Sequence, residues 1–125
     1  MLYYSTTVTA IGEEVPDLLD GGVLILYEDG APAALDEVSV LHRVSGVVAS
    51  AAPPVGARIT LGTLTTRVSA VGGSAWNKVR ELGHVVFNFN GAVVAERPGE
   101  ICVEPLDLSA LGQQMRPGSP IVIAD

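Results

Sequence analysis

The stretch Gly83-His84-Val85-Val86-Phe87-Asn88-Phe89-Asn90-Gly91-Ala92-Val93-Val94-Ala95 carries the reading of the fold. Val85, Phe87 and Phe89 fall on one face; His84, Val86 and Asn88 fall on the other. That two-residue period belongs to a half-buried strand. Asn90-Gly91 is a strong two-residue hairpin signal, because both residues accept left-handed conformations. Ala92–Ala95 is therefore expected to return as the partner strand. Just upstream lies the one good helix, Ser74–Leu82. Ser74 is placed to cap its first turn, and Ala75, Val79 and Leu82 recur at i, i+4 and i+7. Gly83 stands where a left-handed residue ends a helix.

Working outward, the same grammar repeats. Leu2–Ile11 alternates Tyr, Ser/Thr and Val and reads as a first strand. Glu13–Leu19 has room for a helical turn before Asp20-Gly21-Gly22 breaks it. Val23–Tyr27 is a second strand, closed by the turn signal Glu28-Asp29-Gly30. Pro32–Leu35 fits one helical turn. Val38–Val44 is a third strand, with room to run on to Val48. After Pro53-Pro54, Arg58–Leu61 and Leu64–Val71 form a hairpin about Gly62-Thr63. Arg97-Pro98-Gly99 is a turn, and Ile101–Val103 and Pro120–Ile123 close the chain as strands. Eight to ten short strands and one helix near residues 74–82 predict a mainly all-β fold, a small closed or half-closed barrel or sandwich.

The bulk numbers agree. A chain of 125 residues with 48% hydrophobic content reads as a single domain spanning residues 1–125. At that length roughly two thirds of the unfolded surface is buried on folding, so no staples are needed. One cysteine excludes a disulfide framework and a multi-cysteine metal site. The net charge of −7 argues against a nucleic-acid partner, since phosphate backbones attract Lys and Arg. No run approaches the roughly 18 apolar residues of a membrane span, and Met1-Leu2-Tyr3-Tyr4-Ser5 lacks a basic and apolar export signal. The expectation is a cytoplasmic protein without direct membrane insertion. Charge is also uneven. Glu13, Glu14, Asp17, Asp20, Glu28, Asp29, Asp36 and Glu37 all precede Arg43, and no Lys or Arg does. This acidic third is either a solvated face or a docking field for a basic partner.

Chemistry-bearing motifs are few. No phosphate-binding glycine loop, nucleophile elbow or metal-ligand spacing is present, and no cofactor is implied. The adjacent carboxylates read as surface charge. Two histidines remain. His42, in Ser39-Val40-Leu41-His42-Arg43-Val44, shares a strand face with Val38, Val40 and Val44, while Leu41 and Arg43 point away. From the residues alone it is either a satisfied structural histidine or a nucleophilic imidazole in a shallow apolar patch, competent near pH 7 because its pKa lies there. His84 is either local structure after the helix or a donor to a phosphate on His42, if the fold joins them. Cys102, between Ile101 and Val103, reads as an inert buried thiol, and Trp76 as either packing or partly exposed, with no role assigned.

Several stretches together carry a family resemblance: Thr6-Thr7-Val8-Thr9-Ala10-Ile11-Gly12, Glu28-Asp29-Gly30-Ala31-Pro32, Val68-Ser69-Ala70-Val71-Gly72, Arg80-Glu81-Leu82-Gly83-His84-Val85, Asn90-Gly91, Pro98-Gly99 and Pro117-Gly118-Ser119. The chain resembles the glucitol/sorbitol-specific IIA component of the bacterial phosphoenolpyruvate-dependent phosphotransferase system. The resemblance implies a phosphorelay. The carrier HPr passes a phosphoryl group to a histidine of IIA, and IIA passes it to a cysteine of IIB while the membrane component IIC imports the alditol. His42 matches the phosphoryl-accepting position, on the strand after Gly30-Ala31-Pro32. His84 also matches the pattern, without an assigned role. After His42 the chain departs from the family, with Arg43-Val44-Ser45 in place of further His or Cys.

Two other readings bear on the same residues. A regulatory or binding β-domain that kept the scaffold and lost the relay predicts a buried His42. A small-ligand barrel needs an internal cavity, which six aromatics and 125 residues do not favour.

Overall fold

The computed structural model describes all 125 residues. Eight strands close into a barrel: β1 (Leu2–Ile11), β2 (Val23–Glu28), β3 (Val40–Val44), β4 (Arg58–Leu61), β5 (Leu64–Val71), β6 (Val85–Asn88), β7 (Glu100–Val103) and β8 (Pro120–Ala124). Around the barrel the order is β1-β3-β2-β6-β7-β5-β4-β8, so no sheet edge is left free. Pairings are antiparallel except β2–β3 and β6–β7, which are parallel.

Four helices decorate the barrel: α1 (Val15–Asp20), α2 (Ala33–Asp36), α3 (Ala75–Leu82) and α4 (Leu108–Gln114). The first two occupy the expected helical turns, and α3 is the expected helix. Ser74 sits at its N-cap, but its side chain makes no capping bond. Gly83 ends α3 in the left-handed region at φ 61°. The expected hairpin of β4 and β5 is present, with Leu61 opposite Leu64 and Gly62 at φ 65°. A positive φ at the first turn residue alone matches the right-handed twist of the flanking strands.

The largest departure follows Asn90-Gly91. Ala92–Ala95 forms no strand. Both neighbours of β6 are already in place, β2 antiparallel and β7 parallel. A parallel neighbour requires the chain to cross over before it pairs, so it cannot turn straight back. The Asn90 side chain instead accepts from the Ala92 N–H at 2.9 Å, a local turn, and Val93 and Val94 are left exposed.

Inward residues alternate along every strand and fill the interior. Val8, Leu24, Leu26, Ile59, Leu61, Phe87, Ile101, Ile121 and Ile123 are all fully or almost fully buried and join one core cluster. Each such side chain contributes roughly 1.5–3 kcal/mol of transfer free energy. Polar side chains lie among them as well, and Tyr4 and His42, both at 0% exposure, are the largest of these. With side chains occupying the middle of the barrel, the clefts of this protein lie on its outside.

Candidate functional site

His42 lies on β3 between β1 and β2, opposite Val8 on one side and in register with Glu28 on the other. The alternation of β3 turns Val40 and His42 inward and leaves Arg43 exposed. The ring is thus part of the barrel interior rather than of a shallow surface patch, and none of the larger clefts has His42 in its wall.

Its partner is Tyr4 of β1. The Tyr4 hydroxyl lies 2.5 Å from His42 Nε2, and the two rings meet edge to face with centroids 5.6 Å apart. Tyr4 in turn packs against Trp76 of α3, whose indole N–H donates to the Ala49 carbonyl at 2.7 Å. That bond ties the segment after β3 to α3.

Protonation follows from burial. Desolvation lowers the His42 pKa from its ordinary 6.5 to about 4, against weaker opposing effects of the Val40 carbonyl and the Asp29 carboxylate. The imidazole is therefore neutral at pH 7. Burial and the Glu28 carboxylate push the Tyr4 phenol far above its ordinary value, so it keeps its proton. A protonated phenol beside a neutral imidazole donates to Nε2, which leaves the ring proton on Nδ1. Nδ1 itself has no partner in hydrogen-bond geometry, and the only other such buried side-chain atoms are the hydroxyls of Ser39 and Ser69. An unpaired buried polar atom costs about 1–3 kcal/mol. An apolar residue at position 42 would avoid that cost, which is a reason to look for chemistry here.

Gly83 explains the physical content of Glu81-Leu82-Gly83-His84. A Cβ there would stand 2.6 Å from the Glu28 Cβ and 3.3 Å from the Tyr4 hydroxyl. Only a residue without a side chain lets the end of α3 close over β2 and the Tyr4–His42 pair. His84, one residue on, faces elsewhere. Its ring stacks on Tyr27 at 5.0 Å, on the outer side of β2, so the structure does not bring the two histidines into contact. Arg43 lies outside as well, 4.0 Å from Asp29 in an exposed pair of little energetic weight.

Cys102 is fully buried and donates its S–H to Glu100 Oε1 at 3.0 Å. Burial and that carboxylate raise its pKa to about 11, which makes it a poor nucleophile. Trp76 is buried, as expected of packing. No three His, Cys, Asp or Glu residues converge as a metal site, and no helix is long and apolar enough to cross a membrane. The residue that the sequence did not single out is Tyr4. Its inward alternation with Thr6 and Val8 is visible in β1, but its contact with His42 depends on the long-range register of β1 against β3.

Comparison with known proteins shows the fold and the family. The fold is shared with the crystal structure of a phosphotransferase-system IIA component from Enterococcus faecalis V583, with a TM-score of 0.75 over 97% of this chain and 99% of that one, at 17% identity. Residues 3–119 match the family described as the PTS system glucitol/sorbitol-specific IIA component. The glucitol/sorbitol-specific EIIA components of Shigella flexneri and Escherichia coli (strain K12) are each 41% identical over 100 residues, covering 80% of this chain and 80% of theirs. The chain belongs to the glucitol/sorbitol-specific IIA family.

Proposed function

We propose that this protein is a cytoplasmic phosphocarrier that accepts a phosphoryl group from phospho-HPr on His42 and passes it to a IIB cysteine during glucitol or sorbitol uptake. Family membership supports the system and the sugar class. The observation that carries the residue is the His42–Tyr4 pair, a neutral imidazole whose Nε2 lone pair is held by a single removable donor.

In the proposed step the Nε2 lone pair attacks phosphorus in line with the donor's P–N bond. That bond breaks, and its electron pair returns to the imidazole nitrogen of HPr. The new phosphohistidine keeps its Nδ1 proton, so the ring becomes cationic beside the phosphoryl dianion. Both ends are phosphoramidates, so the exchange is nearly thermoneutral, and the protein's task is positioning and charge stabilisation. The Tyr4 hydroxyl must leave Nε2 first, and the corner closed by Gly83 must open to admit the donor. Outside, the eight acidic residues that precede Arg43 are all exposed, which suits a basic carrier.

One observation favours a second reading. His42 is fully buried, as a binding or regulatory domain without the relay would have it. His42→Ala separates the two. On the phosphocarrier reading the variant folds and accepts no label from phospho-HPr, while wild type accepts one phosphoryl group. Equal labelling of the two would remove His42 from the role, and a wild type that takes no label would favour the second reading.

A further inference from the structure

Outside the barrel, on the far side of β2 from the Tyr4–His42 pair, lies a cleft of ≈ 370 Å³ that the phosphorelay does not use. Its floor is the outer face of β2 and β6, where Val23 pairs with Asn88. One wall is α3, through Lys78. The other is the turn Arg97-Pro98-Gly99, and His84 and Glu100 complete the lining. We propose that this cleft binds the phosphate group of a small soluble phosphomonoester, held by Lys78, Arg97, His84 and Asn88.

Charge is the first argument. The chain carries −7, with seven Lys and Arg in all, yet two of those seven line this one cleft. Neither is neutralised: the ion pairs of the structure are Met1–Asp125 and Arg43–Asp29. The single carboxylate in the lining, Glu100, is 4% exposed and already accepts from the Arg97 backbone N–H and the Cys102 thiol. Each of its two oxygens is thus already engaged by one donor, and neither forms an ion pair with Lys78 or Arg97.

Donor chemistry is the second argument. A phosphate dianion offers many acceptor positions and binds best where several kinds of donor converge. Here a guanidinium fork, an ammonium, an imidazole and a carboxamide share one concavity. The ammonium lies against the Gly99 backbone, where a Cβ would stand 3.1 Å from Lys78 Nζ. The imidazole is held by its stack on Tyr27. Lys78 and His84 line the same cleft, and burial, with a smaller contribution from the Lys78 ammonium, lowers the His84 pKa. The volume exceeds that of a bare phosphate and leaves room for a small organic group against Val23 and Val86.

The test is the NMR signal of the His84 imidazole in the intact protein at fixed pH, titrated with inorganic phosphate, glycerol phosphate and acetate. Binding predicts a saturable shift of His84 with both phosphates and none with acetate at equal ionic strength. The His42 signal should stay in place. In the Lys78→Gln/Arg97→Gln double variant, whose altered side chains are both exposed, apparent affinity should fall by at least about tenfold, as expected for lost charge-assisted bonds. Arg116→Gln, a cation outside the cleft, should leave it unchanged. A non-saturating shift, an equal response to acetate, or an undiminished response in the double variant would each overturn the proposal. None of these readouts depends on phosphoryl transfer, so failure here leaves the relay untouched.

Discussion

Lowering the pH from 7 to 4 should destabilise this protein through His42. In the unfolded chain the imidazole titrates at its ordinary 6.5, and in the fold burial holds it to about 4. Above pH 6.5 both states carry a neutral ring, and the fold is at full stability. Between 6.5 and about 4 the unfolded chain binds a proton that the fold refuses, so stability falls as pH falls. Each pH unit in that window costs about 1.4 kcal/mol, for a total of about 3 kcal/mol, and the loss levels off below about pH 4. The comparison is with His42→Gln, which keeps every other ionisable group. Urea unfolding followed by the fluorescence of Trp76, the only tryptophan and a buried one, gives stability at each pH. The variant starts less stable but should lose about 3 kcal/mol less than wild type between pH 7 and 4. His84 is depressed in the same direction, and His84→Asn isolates its share. Parallel stability curves for wild type and His42→Gln would refute the reasoning.

Three further outcomes are expected. Tyr4→Phe leaves Nε2 of His42 buried without a donor and should cost about 1–3 kcal/mol in urea unfolding; an unchanged midpoint would mean that the bond is not formed in solution. Gly83→Ala forces a side chain into a left-handed position and against the Glu28 Cβ at 2.6 Å. It should destabilise by about 1–3 kcal/mol in thermal unfolding, and wild-type stability would remove the close approach. Cys102, buried with its pKa raised to about 11, should react with a thiol reagent only on unfolding; rapid labelling of the native protein would contradict its burial.

Local features of the fold were legible in the sequence wherever one element alone fixed them. Gly62-Thr63 marked its hairpin and Gly83 its helix end, because positive-φ glycines leave a direct trace. Asn90-Gly91 misled, since the same dipeptide serves a hairpin or an isolated turn, and only the parallel pairing of β6 with β7 decides between them. Helix α4 leaves a weaker trace in the sequence. Its cap is real, with Asp107 accepting from the Ala110 N–H at 3.1 Å. Leu108, Leu111 and Met115 recur at i, i+3 and i+7, but Gly112 in the helix interior lowers its propensity. His42 stood out by its apolar face. Its depth and its Tyr4 partner did not, because both arise from closing β1 and β3 into a barrel. The side His84 takes follows from the strand period opposite Val85 and Phe87, whereas its stack on Tyr27 is a tertiary fact.

The central claim is tested most directly by intact-mass measurement at alkaline pH after incubation with phosphoenolpyruvate, the first enzyme of the system and HPr, followed by mapping of the modified residue. The account predicts one acid-labile phosphoryl group, located on His42. A folded protein that takes up no phosphoryl group from several HPr sources, or that carries it on any other residue, would contradict it.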